Sequence, residues 1–149
     1  MDCRAVITFL GFPGWGPLHV HLPEQGHPSA LARRLGHVEQ VLAGLEGRSL
    51  DARFLAVFLV CQPDLVPLRD PRLPPDPLSG PRAHYRYRIV CRYGAPEPLR
   101  ICCWRWGGTS TDRLSECTGP MTLRCFIEGF HLDPDRRGMQ SLRVPHRCP

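Results

Sequence analysis

The sequence predicts an α+β fold: about six strands, with one main helix packed on a mostly antiparallel sheet. Three observations carry this. Tyr85 to Tyr93 alternates with a period of two, Leu31 to Leu45 repeats its apolar residues at helical spacing, and Phe54 to Cys61 is a continuous apolar run. With 149 residues the chain fits one domain able to bury a real core without staples. We expect a single α+β domain over 1–132, interrupted by a proline-rich excursion at 62–83, and a polar, partly disordered tail over 133–149.

In chain order, Cys3 to Leu10 reads as a buried strand, with Ala5, Ile7 and Phe9 on one face and Val6, Thr8 and Leu10 on the other. The turn formers of Gly11-Phe-Pro-Gly-Trp-Gly-Pro17 break it. Leu18 to Leu22 alternates again, with His19 and His21 outward, so the two strands can form a hairpin with Trp15 capping one end of the core. Pro28 and Ser29 open a helix for which His27 or Ser29 can act as cap, and Gly44 or Gly47 ends it. Leu31, Leu35, Val38, Leu42 and Leu45 form its apolar face. Gly36, in its middle, costs about 1 kcal/mol relative to Ala, which close packing against a neighbour would offset.

Arg53 to Cys61 reads as a central strand covered on both faces. Gln62 to Ala83 then holds seven prolines in 22 residues, a length and composition typical of a linker or functional loop. Beyond it, Tyr85, Tyr87, Ile89, Cys91 and Tyr93 share one strand face, while Arg86, Arg88, Val90 and Arg92 share the other. Leu99 to Trp106 sets Leu99, Ile101 and Cys103 against Arg100, Cys102, Trp104 and Trp106. A polar loop from Gly107 to Arg113 and a last strand from Thr122 to Leu132 complete the pattern.

All 19 basic residues are arginine, and neither Lys nor Asn occurs. Their codons are A-rich, so the simplest cause is a GC-rich coding sequence, which suits a GC-rich DNA virus or bacterium, or an overlapping frame. The net charge of +5 favours anionic partners, yet no polybasic block exists. The short apolar start does not make a signal peptide and no run spans a bilayer. The chain is therefore expected to be intracellular, cytoplasmic or nuclear, without a membrane partner, and its eight cysteines to be free thiols or metal ligands.

Arginine is suited to interfaces, because its planar fork pairs with carboxylate or phosphate and stacks on aromatic rings. The candidate partner-binding residues are Arg86, Arg88, Arg92, Arg100, Trp104, Arg105 and Trp106. Zinc is a candidate cofactor, with Cys102 (or Cys103), Cys117, Cys125 and His131 as ligands, although no Cys-x-x-Cys pair presents them. His19-Val-His21 resembles the His-x-His strand of metal-dependent hydrolases of the amidohydrolase type, over Leu18 to Leu22 only. That family implies a barrel of about 250 residues, longer than this chain, so outward strand histidines are the reading kept. Leu73-Pro-Pro-Asp-Pro77 resembles the core of a polyproline ligand for SH3 domains, but Arg72 stands one position out of register.

No nucleophile-elbow, P-loop or zincin motif is present. The expectation is a small non-enzymatic binding or regulatory protein, of the viral accessory type, that meets a protein partner through an arginine-rich sheet face and the proline-rich loop. The alternatives are a metal- or cysteine-dependent enzyme using the C-terminal Cys/His cluster, and a binder of RNA or single-stranded nucleic acid. No oligomeric state is implied.

Overall fold

The computed structural model describes residues 3–45, 50–69, 83–106 and 114–130. The elements run β1 (Ala5–Leu10), β2 (Leu18–Leu22), α1 (Pro28–Ala43), α2 (Leu50–Cys61), β3 (Val66–Leu68), β4 (Tyr85–Cys91), β5 (Leu99–Trp106), β6 (Leu114–Thr122) and α3 (Leu123–Phe130). The six strands form one sheet in the order β3-β2-β1-β4-β5-β6. The expected α+β class holds, but two of its details are corrected. The sheet is mixed, because β1 and β4 run parallel at its centre between antiparallel neighbours. A parallel neighbour needs a long crossover, and the α1–α2 segment supplies it. Among the described residues three helices are present in place of one main helix.

Arg53 to Cys61, expected as a central strand, is most of α2. A continuous apolar run has no period to separate helix from strand. Its burial has helical character: Phe54, Leu55 and Phe58 are fully buried while Val60 is 83% exposed. Thr122 to Leu132 is not a strand either. β6 ends at Thr122, whose hydroxyl accepts the Cys125 N–H at 3.1 Å at the start of α3. Leu123, Phe126, Ile127 and Phe130 then bury one helical stripe. β6 covers a stretch to which the sequence reading assigned no element; it contains Pro120, which an edge strand tolerates. β3 arises from the first residues of the proline-rich excursion and pairs Pro67 with Val20 on the other edge. Residues 70–82 and the tail over 133–149 lie outside the described residues.

The three helices and one sheet face share a single hydrophobic core. Ala5, Ile7, Phe9, Val20, Leu22, Tyr87, Ile89, Ile101 and Cys103 meet Leu31, Leu35 and Val38 of α1, Phe54 and Phe58 of α2, and Phe126 of α3. Phe9 lies 5.2 Å from Phe58 between ring centroids, and Tyr87 meets Phe126 edge to face at 6.2 Å. Phe12, rather than Trp15, closes the end of this core: it is buried and stacks on Phe54, whereas Trp15 is exposed.

α1 starts at the N-cap His27, whose Nδ1 accepts the Ala30 N–H at 3.1 Å, and stops at Gly44. A methyl on Gly36 would stand 3.7 Å from Ile127, an ordinary contact, so α3 does pack against that position. Arg34 of α1 grips Asp64, beyond α2, with both terminal nitrogens at 2.9 and 3.0 Å and also donates to Gln62. That pairing holds the Asp64 carboxyl below its usual range. Gly26 lies so close to the start of β1 that a Cβ would come within 2.6 Å of the Ala5 methyl, and its carbonyl accepts the Tyr87 hydroxyl at 2.6 Å. Among the described residues no helix is long and apolar enough to cross a membrane.

Candidate functional site

Alternation fixes what the opposite sheet face carries, because every strand residue beside an inward one points outward. None of the described helices contributes to that face; their apolar stripes all join the inner core. The strand registers lay its residues out in rows. One row runs His21, Val6, Arg86, Trp104, the next His19, Thr8, Arg88, Cys102, and a third Leu10, Val90, Arg100, Thr122.

Arg86, Arg88, Arg100, Cys102 and Trp104 are therefore brought onto one face of adjacent strands by the β4/β5 register. The Arg88 guanidinium carbon lies 5.3 Å from the centroid of the Trp104 ring. The two are diagonal neighbours across β4 and β5, a separation long side chains bridge readily. A cation over a half-buried indole such as Trp104 contributes about 0.5–1 kcal/mol or more, and here it orients the arginine fork. Arg92 lies just past the end of β4, exposed, with its backbone N–H donated to the Pro98 carbonyl at 2.7 Å.

Arg105 is placed elsewhere. It pairs with Tyr85 on the inner side of the sheet, where its charge acts on Cys3, Tyr85 and Cys117. Trp106 ends β5, and its side chain lies outside the description.

The N-terminal strands add members that sequence reasoning did not join to this face. Thr8 and His19 share a hydrogen bond at 3.0 Å. His21, 8% exposed, and Val6, 4% exposed, are buried here although no described helix crosses them. The flanking Arg86 side chain supplies a long aliphatic stem of the kind that covers apolar neighbours. Burial, and then the charge of Arg4, holds the His21 imidazole below its ordinary range. The outward parity of Val6, Thr8, His19 and His21 was legible. Their attachment to Arg86 and Arg88 depends on the parallel β1/β4 pairing, for which no local signal exists.

Among the described residues, the proposed zinc ligands that meet are Cys117 and Cys103, the alternative to Cys102. Cys102 faces outward on β5, whereas Cys117 sits in an irregular stretch of β6 and hydrogen-bonds with Cys103. Cys125, on α3, is disulfide-bonded, and His131 lies outside the described residues. Among the described residues no group of three or more His, Cys, Asp or Glu side chains converges as a metal site. No family model matches the chain, and no curated protein or solved structure matches it.

Proposed function

We propose that the chain is a non-enzymatic binding protein whose helix-free sheet face docks an acidic segment of a protein partner. The observation that carries this reading is Arg88 over Trp104, with Arg86 opposite that indole and Arg100 farther along the same face of β4 and β5. Three arginine forks offer bidentate pairing to carboxylates, and the indole offers an apolar anchor of the type enriched in binding hot spots. The proline-rich excursion would add a second contact, as an extended segment. A regulatory role of the viral accessory kind rests on the all-arginine composition, which suits a GC-rich genome.

A second reading has its own support. Trp104 shares its face with three arginines, which is the combination that holds unpaired bases by stacking and phosphate pairing. The tyrosines of β4 take no part in either reading, since Tyr85 and Tyr87 belong to the inner side.

Fluorescence titration with a polyglutamate peptide and with an oligo(dT) strand separates the two. Docking of an acidic segment predicts that the peptide binds, and that Arg86→Gln/Arg88→Gln/Arg100→Gln weakens it at least about tenfold, or roughly 1.4 kcal/mol. Preference for oligo(dT), lost in Trp104→Ala and falling steeply with salt, establishes the second reading in its place. Binding of either probe unchanged by the triple substitution overturns the assignment of this face.

A further inference from the structure

We propose that Cys103 and Cys117 form a thiol pair that hydroperoxides convert into a reversible disulfide across the β5/β6 irregularity. The pairing register carries the first part of the case. Ile101 stands opposite Met121, Cys103 opposite Thr118, and Trp104 opposite Glu116, so the register shifts on both sides of Cys103. Cys117 is thus the extra residue between two paired ones, and a bulge of this kind re-aims a side chain. Continued without the bulge, the Trp104/Glu116 register would set Cys117 directly opposite Cys103; with the bulge, Thr118 takes that place and Cys117 lies beside the pair. Re-aimed, it hydrogen-bonds with Cys103 on the inner side of the sheet.

Both sulfurs are reduced. Thiols that hydrogen-bond to one another lie on the same side of the sheet, as a disulfide requires, whereas a pair whose Cβ atoms point apart would need backbone movement.

The surroundings divide the labour. Cys103 is wholly buried among core residues and also hydrogen-bonds with Tyr87, while Cys117 is half-buried and reachable from solvent. Cys117 is accordingly the sulfur a peroxide meets first. Its sulfur attacks the peroxide O–O bond, gaining an oxygen as sulfenic acid and releasing water. The Cys103 sulfur then attacks Cys117, the S–S bond forms, and the sulfenic hydroxyl leaves as water with the Cys103 proton. Two thiols and one hydroperoxide become one disulfide and two waters, or one water and one alcohol when the peroxide is organic.

Burial pushes both thiols up, with Cys103 far above its usual value. The thiolate is the reacting form, so the pair stays reduced at low peroxide and reacts faster as pH rises. Trp104, next in β5 after Cys103, faces outward, so the disulfide would tie β6 directly beneath the arginine-tryptophan face.

The test exposes the full chain to hydrogen peroxide, alkylates the remaining thiols, and maps disulfide-linked peptides by mass spectrometry. Trypsin cuts at Arg100 and Arg105 and leaves Cys102 and Cys103 on one peptide, so variants assign the sulfur. A link between this peptide and the Cys117 peptide is expected in the wild type and in Cys102→Ser, with loss of two hydrogens and reversal by dithiothreitol. It should vanish in Cys103→Ser and Cys117→Ser. Cys103→Ala, which keeps the buried position apolar, repeats the arm if the serine variant unfolds. A link that survives loss of Cys103 or Cys117, or sulfinic acid accumulating on Cys117 without any link, overturns the proposal.

Discussion

Along β4, neighbouring residues are committed to opposite tasks. Tyr87, Ile89 and Cys91 are sealed under the helices, while Arg86, Arg88 and Val90 between them lie on the helix-free face. β5 repeats the division, with Ile101 and Cys103 inward and Arg100, Cys102 and Trp104 outward. The inner side is held by burial of large side chains, which is non-directional and tolerates little loss of volume. The outer side is held by a few specific contacts, such as Thr8 with His19 and Arg88 over Trp104, and spends most of its residues on charge. Stability and recognition are thereby assigned to opposite parities of the same strands, and substitutions can address one without the other.

The sharpest test of that division is Phe126→Ala, at the meeting point of α3 and Tyr87. It should lower unfolding free energy by about 3–5 kcal/mol in a denaturant titration. A loss below 1 kcal/mol would show that α3 contributes little to the inner core. Gly26→Ala comes next, because its methyl would collide with the backbone and side chain of residues 4 and 5. A loss of about 1–3 kcal/mol is expected, as for other overpacked sites, with the Tyr87 hydrogen bond disturbed at the same time.

His27→Ala removes the α1 cap and should cost about 1 kcal/mol. This position also sets a pH dependence. Burial and nearby arginines hold His27 and His21 below the ordinary value of 6.5, so the folded chain binds fewer protons in acid than the unfolded chain. Their stabilisation is therefore present above pH 6.5 and lost as pH falls through the lowered folded values. A neutral Nδ1 is also what accepts the Ala30 N–H, so protonation opposes the cap itself. His27→Asn, which keeps a capping acceptor but does not titrate, should flatten the acid limb of a melting-temperature profile.

Gly36→Ala should raise stability by about 0.5–1 kcal/mol, since its methyl fits against Ile127 and the helix gains propensity. The smallest effects belong to the outer face: Arg88→Gln, which gives up the contact with Trp104, should cost no more than about 1 kcal/mol, and Arg100→Gln should stay within about 0.5 kcal/mol in stability. A core-sized loss from either would break the division between the two faces.

What could be read in the sequence follows the same division. The alternation of Tyr85 to Cys91 and of Leu99 to Trp104 separates inner from outer side chains correctly, because a period of two is imposed by the strand itself. The α1 face from Leu31 to Leu42 was equally legible. α2 was misread because Phe54 to Cys61 is apolar at nearly every position, which erases the period. α3 was different: Leu123, Phe126, Ile127 and Phe130 carry a clear helical spacing that was absorbed into a strand begun at Thr122. For the site, strand parity grouped Trp104 with Arg100 and Cys102, and Arg86 with Arg88. It could not supply the register that sets one group against the other. Arg105 was misplaced because it was counted with the arginines of β5 without regard to its parity.

The parallel β1/β4 seam bears on how the chain reaches this state. Ala5 pairs with Tyr85 and Ile7 with Tyr87, whereas the β1/β2 and β4/β5 hairpins close over short turns. Bringing the seam together closes a loop of roughly 80 residues, and each doubling of loop length adds about 0.6 kcal/mol of entropic cost. The two hairpins can form early on local contacts, and their joining along the seam is the slow, topology-limited event. Until it happens, one flank each of β1 and β4, the two most central strands of the finished sheet, is an unpaired edge. In the refolding chain, the most deeply buried hydrogen-bonding rows are thus the last to be protected from exchange with solvent.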